Sequence, residues 1–204
     1  MQLQKGQKIK FTDMGLDTDF TVECNFQSNM TIDMSCFGIS EEGKLVDDRY
    51  MVFYNQKSSP NQEIKFTQDG KNYKFHVNAQ ALPANASKLV FTAAIDGSEN
   101  MSQLGQLEFK IGNVSFTLTG KDFSQEKAII IAEVYKRDNI WRVNAVGQGF
   151  NGGLEALLTS FGGQSAAITP AIPLVSSPVE QKKTIFLEND FHLKKHWLKK
   201  LQNF

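Results

Sequence analysis

Short runs in which apolar and polar residues alternate recur along most of this chain. In residues 20–26, Phe20, Val22, Cys24 and Phe26 fall on one side and polar residues fall on the other. A period of two is the pattern of a β-strand with one buried face and one solvated face. A single strand cannot bury its own apolar face, so the chain must form sheets that cover one another.

About ten or eleven such runs are separated by turn signals rather than by helical patterns. Gly112-Asn113 has the form of a two-residue hairpin turn between two strands. A second hairpin is predicted through residues 136–139. The strand candidates are residues 8–11, 20–26, 30–37, 50–54, 64–66, 73–77, 88–95, 104–111, 114–118, 128–135 and 140–146.

Closely spaced strands with almost no helix between them indicate an all-β fold. We predict a β-sandwich of two antiparallel sheets, with one or two short helices at residues 121–125 and 153–160 and a C-terminal tail. Gly162 is placed to end the second helix. The most apolar strands supply the expected core, which includes Phe26, Phe37, Phe53, Phe91, Phe109, Val134 and Trp141.

Charge and composition narrow the class of function. The 204 residues include 22 Lys and Arg against 22 Asp and Glu, so the net charge is zero. A nucleic-acid-binding surface normally appears as a basic excess, so we expect no nucleic-acid partner. The chain has no apolar run of about 20 residues and no apolar signal-peptide core at its start, so we expect a cytoplasmic protein. Cys24 and Cys36 lie in apolar runs and are expected to be reduced, buried thiols.

The composition changes after residue 163, which sets the predicted boundary of the β-sandwich domain at residues 1–163. Residues 164–178 hold three of the five prolines and are predicted to be an extended linker. Residues 179–204 carry six lysines against three acidic residues and are predicted to be a basic amphipathic tail. A helix from Phe191 to about Leu201 is one register for this tail, and a strand at residues 184–187 is the other.

The tail is the predicted contact surface of the protein. We expect Phe186 or Trp197 to pack on this sandwich or on the sandwich of a neighbouring subunit, which would make the tail a means of self-association. The alternatives are a groove on a separate protein partner and the surface of an anionic membrane.

Motifs of common catalytic sites are missing from the sequence. His192 and His196 are four residues apart, but two lysines and no glutamate lie between them, which disfavours a metal site. His76 stands alone in a predicted strand. The glycine-rich run at residues 147–153 lacks the following Lys-Ser/Thr of a phosphate-binding loop, and close packing explains its glycines. We therefore expect that the protein is not an enzyme.

Acidic residues offer a cation site as an alternative. Asp33 lies between two apolar neighbours that point to the other face of its strand, and Asp69 opens a turn. Carboxylates gathered at one end of a β-sandwich can bind Ca²⁺, which takes about six to eight oxygen ligands. Solvated loop charge is the simpler interpretation. Further loop carboxylates are Asp13, Asp17, Asp19, Glu41, Glu42, Asp47 and Asp48.

Three stretches of the sequence resemble a known family. Residues 3–11 read LQKGQKIKF, residues 51–56 read MVFYNQ, and residues 132–154 read AEVYKRDNIWRVNAVGQGFNGGL. They are similar to the LxKG start, the VFYNN strand and the GELYR…WKxxAVGQGxxGGL ending of the TerD family of bacterial tellurite-resistance and stress-response proteins. The resemblance covers about residues 1–163, and the last motif is the most specific.

The resemblance implies a cytoplasmic β-sandwich with a role in tellurite or chemical stress, often with Ca²⁺ binding and with no established catalysis. The chain departs from the family at its acidic positions. Thr31 replaces the first aspartate of the FDLDAS strand, whereas Asp33 is retained, and only residues 67–70 (TQDG) remain of the acidic DNxTGxGxGDDE loop. We expect a divergent, TerA-like member with a vestigial Ca²⁺ site at Asp33 and Asp69.

Two functions follow from these expectations. The first is a non-enzymatic stress-response scaffold that acts through protein partners and has a degraded calcium site. The second is a module that binds Ca²⁺ or another cation at Asp33 and Asp69. Because most of the family's carboxylates are missing, we expect no resident cofactor and Ca²⁺ binding weaker than about millimolar.

Overall fold

The computed structural model describes residues 1–162, and the predicted linker (164–178) and tail (179–204) lie outside the described residues. The described residues form twelve strands, two α-helices and three short 3₁₀ turns. The strands are β1 (Gln2–Leu3), β2 (Lys8–Lys10), β3 (Asp19–Gln27), β4 (Ile32–Ile39), β5 (Met51–Val52), β6 (Ile64–Asp69), β7 (Asn72–Asn78), β8 (Lys88–Ile95), β9 (Gln106–Ile111), β10 (Val114–Leu118), β11 (Ala128–Arg137) and β12 (Ile140–Phe150). The helices are α1 (Phe11–Met14) and α2 (Gly153–Ser160), and the 3₁₀ turns are Asp48–Tyr50, Met101–Gln103 and Gly120–Asp122.

The strands form two six-stranded sheets that pack face to face. The first sheet has the order β1-β10-β9-β3-β7-β6, and the second has the order β2-β12-β11-β8-β4-β5. All neighbouring strands are antiparallel except β1 and β10, which are parallel. Neither sheet closes into a barrel. The predicted all-β sandwich is confirmed.

The two N-terminal strands belong to different sheets. β1 is the edge strand of the first sheet, where Leu3 pairs with Phe116 of β10. β2 is the edge strand of the second sheet, where Ile9 pairs with Val143 of β12. The first ten residues therefore connect the two layers of the sandwich along one side.

A large apolar core fills the space between the sheets. Every residue predicted for the core is buried, and the largest exposed fraction among them is 8%, at Trp141. Phe75, Phe91 and Phe109 make edge contacts across the sandwich, with ring centroids 5.5 and 5.8 Å apart. Edge-to-face geometry is favourable for aromatic pairs and adds to the effect of burial. These rings join the two sheets near the middle of the core.

The short helix α2 covers part of the outer face of the second sheet. Its Leu157 is buried in a smaller cluster with Phe37 of β4 and Ile130 of β11. The helix predicted at residues 153–160 is confirmed. Gly162 follows it with a φ of 86°, a left-handed conformation that glycine adopts without strain.

Two local differences from the sequence prediction have clear causes. The second hairpin turns at Asp138 and Asn139 alone, both with positive φ, so its turn is shorter than residues 136–139. The strand predicted at residues 8–11 ends at Lys10, and Phe11 starts α1. Phe11 turns into the core, where its ring lies 5.1 Å from that of Phe20 in edge-on contact.

Within the described part of the chain, neither helix has the length and apolar character required to cross a bilayer.

Candidate functional site

Asp33 lies near the start of β4, at one end of the sandwich. Ile32 and Met34 are buried in the main core, so the side chain of Asp33 points to the outer face, as the alternation predicts. Its register partner on β8 is Ala94, and Asp96 lies just beyond the end of that strand. The pairing of β4 with β8 therefore brings two carboxylates close together.

The pKa of Asp33 reflects this environment. Partial burial raises the pKa above its ordinary value of 3.8, and the negative charge of Asp96 raises it further. No hydrogen bond from another described residue offsets these effects. Burial also raises the pKa values of Tyr54 and Tyr73, and the charge of Asp33 adds to both. Asp33 is therefore a partly buried carboxylate that lies near the charge of Asp96 and accepts no hydrogen bond from another described residue.

Asp69 occupies the last position of β6 and is exposed at the hairpin leading to β7. Lys71 donates a hydrogen bond from its ammonium group to the carbonyl of Ser28 in the β3–β4 turn, so the hairpin lies at the same end of the sandwich as Asp33. The described residues nevertheless contain no group of three or more His, Cys, Asp or Glu side chains that could hold a metal ion. The structure brings Asp33 close to Asp96 instead. In the sequence, Asp96 is followed by Gly97, a pair that is typical of a turn and gives no sign of a site.

Two of the other loop carboxylates predicted as candidates, Asp47 and Glu42, make contacts within their own loop. Asp47 binds the guanidinium of Arg49 through two hydrogen bonds of 2.9 and 2.8 Å, which hold the pKa of Asp47 well below its usual range. Glu42 accepts a 2.7 Å hydrogen bond from the hydroxyl of Ser40. These carboxylates stabilise their own loops.

Glu63, in the loop before β6, is a buried carboxylate that the sequence pattern did not indicate. It exposes only 1% of its surface. Its Oε1 accepts hydrogen bonds from the Tyr50 hydroxyl (2.9 Å) and the Asn61 amide (3.1 Å). Its Oε2 accepts from the Asn61 backbone N–H (3.0 Å) and from the Ser59 hydroxyl. Four donors from one loop and one neighbouring turn therefore surround a single carboxylate.

These donors control the ionisation of Glu63. Burial by itself raises its pKa, but the hydrogen bonds from Ser59, Tyr50 and Asn61 outweigh burial and lower the pKa from 4.5 to about 2. Glu63 is therefore charged at neutral pH and is part of the structure of its loop. The only sequence signal was the turn-forming run at residues 58–61, which carries no information about a buried acid.

The two cysteines are free and buried, which confirms the prediction of buried thiols. Burial raises the pKa of both thiols far above the ordinary value. Cys24 and Cys36 lie on the inner faces of opposite sheets, and each is at most 1% exposed. Thiols with raised pKa values are poor nucleophiles because the thiolate is the reactive form.

A groove of about 880 Å³ lies at the opposite end of the sandwich, between residues 79–87 and the β11–β12 hairpin. The residues that line it include Leu82, Pro83, Lys136, Asp138 and Trp141. The lining mixes small apolar side chains with charges of both signs. It therefore shows no preference for one class of ligand.

Fold and site together define a non-barrel, two-sheet β-sandwich with a pair of carboxylates at one end. The same fold occurs in the crystal structure of a homologue of the telluride resistance protein TerD from Streptomyces coelicolor A3(2). That structure is 14% identical in sequence, has a TM-score of 0.56, and is matched over 70% of this chain and 94% of its own.

The sequence profile of the TerD domain matches residues 1–161, and the chain belongs to the TerD family. The resemblance stated from the motifs is thus confirmed. Tellurium resistance protein TerA of Alcaligenes sp is 37% identical over 128 residues, which are 59% of this chain and 38% of TerA. General stress protein 16U of Bacillus subtilis (strain 168) is 29% identical over 189 residues, with 79% of this chain and 97% of that protein covered.

Proposed function

We propose that this protein acts in the response to tellurite and chemical stress as a non-enzymatic, cytoplasmic scaffold that binds protein partners. The observation that carries the proposal is the TerD-domain match over nearly the whole described sandwich. Relatives named for tellurium resistance and for general stress support the same role. Because the chain spans 38% of TerA, the activity of that longer protein is not transferred whole to this chain.

Survival of the host on tellurite tests the physiological part of this proposal. Removal of the gene should lower survival on medium with potassium tellurite, and re-expression of the full chain should restore it. Equal survival with and without the gene would contradict the proposed role. Purified protein should leave tellurite unchanged in the presence of NADPH, and formation of elemental tellurium would contradict the non-enzymatic part.

The C-terminal residues 179–204 are proposed as a second contact surface, either for self-association or for a protein partner. Their six lysines against three acids and their apolar residues favour docking of a basic amphipathic segment. Removal of residues 180–204 should change the oligomeric state or the melting temperature if the tail docks on the sandwich. If neither changes, a separate protein or an anionic membrane becomes the better explanation.

A cation-binding module is the second candidate function, and the closeness of Asp33 and Asp96 favours it. Two carboxylates supply at most about four of the six to eight oxygens that Ca²⁺ takes, so the proposed site is degraded and weak. Calorimetry with Ca²⁺ separates the two functions. Micromolar binding that disappears in Asp33→Asn would favour the module, whereas binding weaker than about millimolar would favour the scaffold.

A further inference from the structure

Strand β12 carries part of the most specific family motif, and its outward side chains take no part in the site at Asp33. Trp141, Val143 and Ala145 are buried in the main core. Arg142 and Asn144 alternate with them and therefore point to the outer face of the second sheet. Both are only partly buried, so this face is accessible beside the region that α2 covers.

The strand register places further charged residues around Arg142 and Asn144. Lys10 of β2 and Tyr135 of β11 are the register partners of Arg142, and Lys88 of β8 is the next in the same row. Neighbouring strands are about 4.8 Å apart, so this row of four side chains spans about 14 Å.

The next row along the sheet completes the surface. Lys8 of β2 and Glu133 of β11 are the register partners of Asn144. We call this surface the basic patch, and its residues are Lys8, Lys10, Lys88, Glu133, Tyr135, Arg142 and Asn144.

The basic patch has a charge opposite to that of the rest of its domain. Four cations face one carboxylate, Glu133, which is bound by Lys88 at 3.1 Å and by the Asn144 amide at 3.1 Å. Three positive charges are therefore left over. The whole chain is neutral, and residues 179–204 carry a net charge of about +3, so the remaining residues sum to about −3. On charge grounds, a basic segment such as residues 179–204 is therefore not the expected occupant of the patch.

Two buried polar atoms of the patch have no hydrogen-bond partner among the described residues. They are Nε of Arg142, a donor, and Oδ1 of Asn144, an acceptor. An unpaired buried polar atom lowers the stability of a fold, so a hydrogen-bond partner for either atom would be stabilising. Both atoms are themselves covered, whereas other parts of the two side chains are exposed, so a ligand reaches either atom only if its side chain rotates.

We propose that the basic patch is the docking surface for an acidic, extended segment of a separate protein partner. Carboxylates of such a segment match the uncompensated charges of Arg142 and the lysines. Its backbone offers both a carbonyl for Arg142 Nε and an N–H for Asn144 Oδ1. These two residues are about 6.7 Å apart along the strand, which is the two-residue repeat of an extended peptide.

The unmet acceptor favours a ligand with regularly spaced hydrogen-bond donors, such as the backbone N–H groups of a polypeptide. Phosphates of a membrane or a nucleic acid supply acceptors but no donor for Asn144 Oδ1. This inference rests on the proposed scaffold function and names the chemistry of the partner.

The test uses the full chain and a fluorescent peptide of alternating glutamate and alanine, followed by fluorescence anisotropy at low ionic strength. Arg142→Glu should weaken peptide binding at least about tenfold. The matched control is Lys65→Glu, which makes the same charge change at an exposed position of β6 and should change the affinity less than about twofold. Equal effects of the two variants would overturn the proposal.

A second variant tests the hydrogen-bonding part without a change of charge. Asn144→Leu removes the acceptor Oδ1, together with the Nδ2 group that donates to Glu133, and should weaken peptide binding by about threefold to tenfold, since one hydrogen bond contributes about 0.5–1.5 kcal/mol. Its melting temperature is compared with that of the wild type to show that the sandwich is intact. Unchanged affinity in a folded Asn144→Leu protein would overturn the proposal.

Other occupants give different results. Arg142-dependent binding to phosphatidylserine vesicles without peptide binding would overturn the proposal in favour of a membrane. A dimer in sedimentation equilibrium that Arg142→Glu dissociates would overturn it in favour of a second copy. The tellurite survival test separates the basic patch from the proposed function. If the peptide does not bind but removal of the gene lowers survival on tellurite, only the basic patch is refuted. If binding depends on Arg142 but removal of the gene leaves survival unchanged, only the proposed function is refuted.

Discussion

Glu63 and Asp33 are two carboxylates of the same sandwich with opposite electrostatic environments. Glu63 is almost fully buried, yet four hydrogen-bond donors lower its pKa to about 2. Asp33 is less buried, but it receives no such donor and lies near Asp96, so its pKa is raised. Burial alone therefore does not decide the ionisation of an acid in this protein, because the donors and charges around it have the larger effect.

This difference separates a structural acid from a candidate functional one. The charge of Glu63 is already satisfied by Tyr50, Ser59 and Asn61, so no cation is needed to stabilise it. The charge of Asp33 is unsatisfied, and a proton or a cation would relieve it. Four predictions test this comparison.

The largest effect is expected for Glu63→Gln. The amide has one acceptor oxygen and brings an NH₂ group towards groups that themselves donate, so at least one donor stays unpaired. The free energy of unfolding should fall by about 2–3 kcal/mol in urea titrations. The control is Glu108→Gln, which breaks a partly exposed ion pair with Lys110. This variant should lower the free energy of unfolding by less than about 1 kcal/mol. A loss below about 1 kcal/mol at Glu63 would remove the contrast with Asp33.

The pH dependence of stability is the second test. The pKa of Glu63 is depressed from 4.5 to about 2 in the folded protein, so its stabilising effect is complete above about pH 4.5 and declines as the pH falls towards 2. The difference in unfolding free energy between wild type and Glu63→Gln should therefore be larger at neutral pH than near pH 3. A constant difference over this range would show that Glu63 is not held in its charged form.

Asp33→Asn should raise the free energy of unfolding, and by less than Glu63→Gln lowers it. The folded-state pKa of Asp33 is raised, so its charged form destabilises the fold above that pKa, and the penalty vanishes as the pH falls below the ordinary value of 3.8. At neutral pH, the free energy of unfolding of Asp33→Asn, measured by thermal unfolding, should exceed that of the wild type by about 0.5–1 kcal/mol. This gain should be absent near pH 3. A variant less stable than the wild type at neutral pH would mean that Asp33 has a stabilising partner.

Calcium should have the smallest effect. At a concentration equal to its Kd a ligand stabilises a protein by about 0.4 kcal/mol, so about 1 mM Ca²⁺ should raise the melting temperature by less than about 2 °C. Any shift should disappear in Asp33→Asn and persist in Glu108→Gln, a control carboxylate that pairs with Lys110. An increase of several degrees would show that the carboxylates form a working site.

The sequence was sufficient for the fold because alternation is a local pattern. The outward direction of Asp33 followed from its buried neighbours Ile32 and Met34. Its closeness to Asp96 did not follow, because that depends on the register of β4 with β8, which is fixed by long-range packing. Glu63 was missed because its donors come from a loop whose path, with Gln62 at positive φ, no periodic pattern encodes.

The position of β1 and β2 at the edges of opposite sheets has a consequence for synthesis of the chain. Leu3 and Ile9 leave the ribosome first, but their partners Phe116 and Val143 follow more than a hundred residues later. At about 5–20 residues per second, the first segment waits on the order of ten seconds for its partners. The pairing of β1 with β10 and of β2 with β12 is therefore a late step, and it joins residues that are far apart in the sequence. Until then, β1 and β2 lack their partner strands and stay open to pairing with other nascent chains.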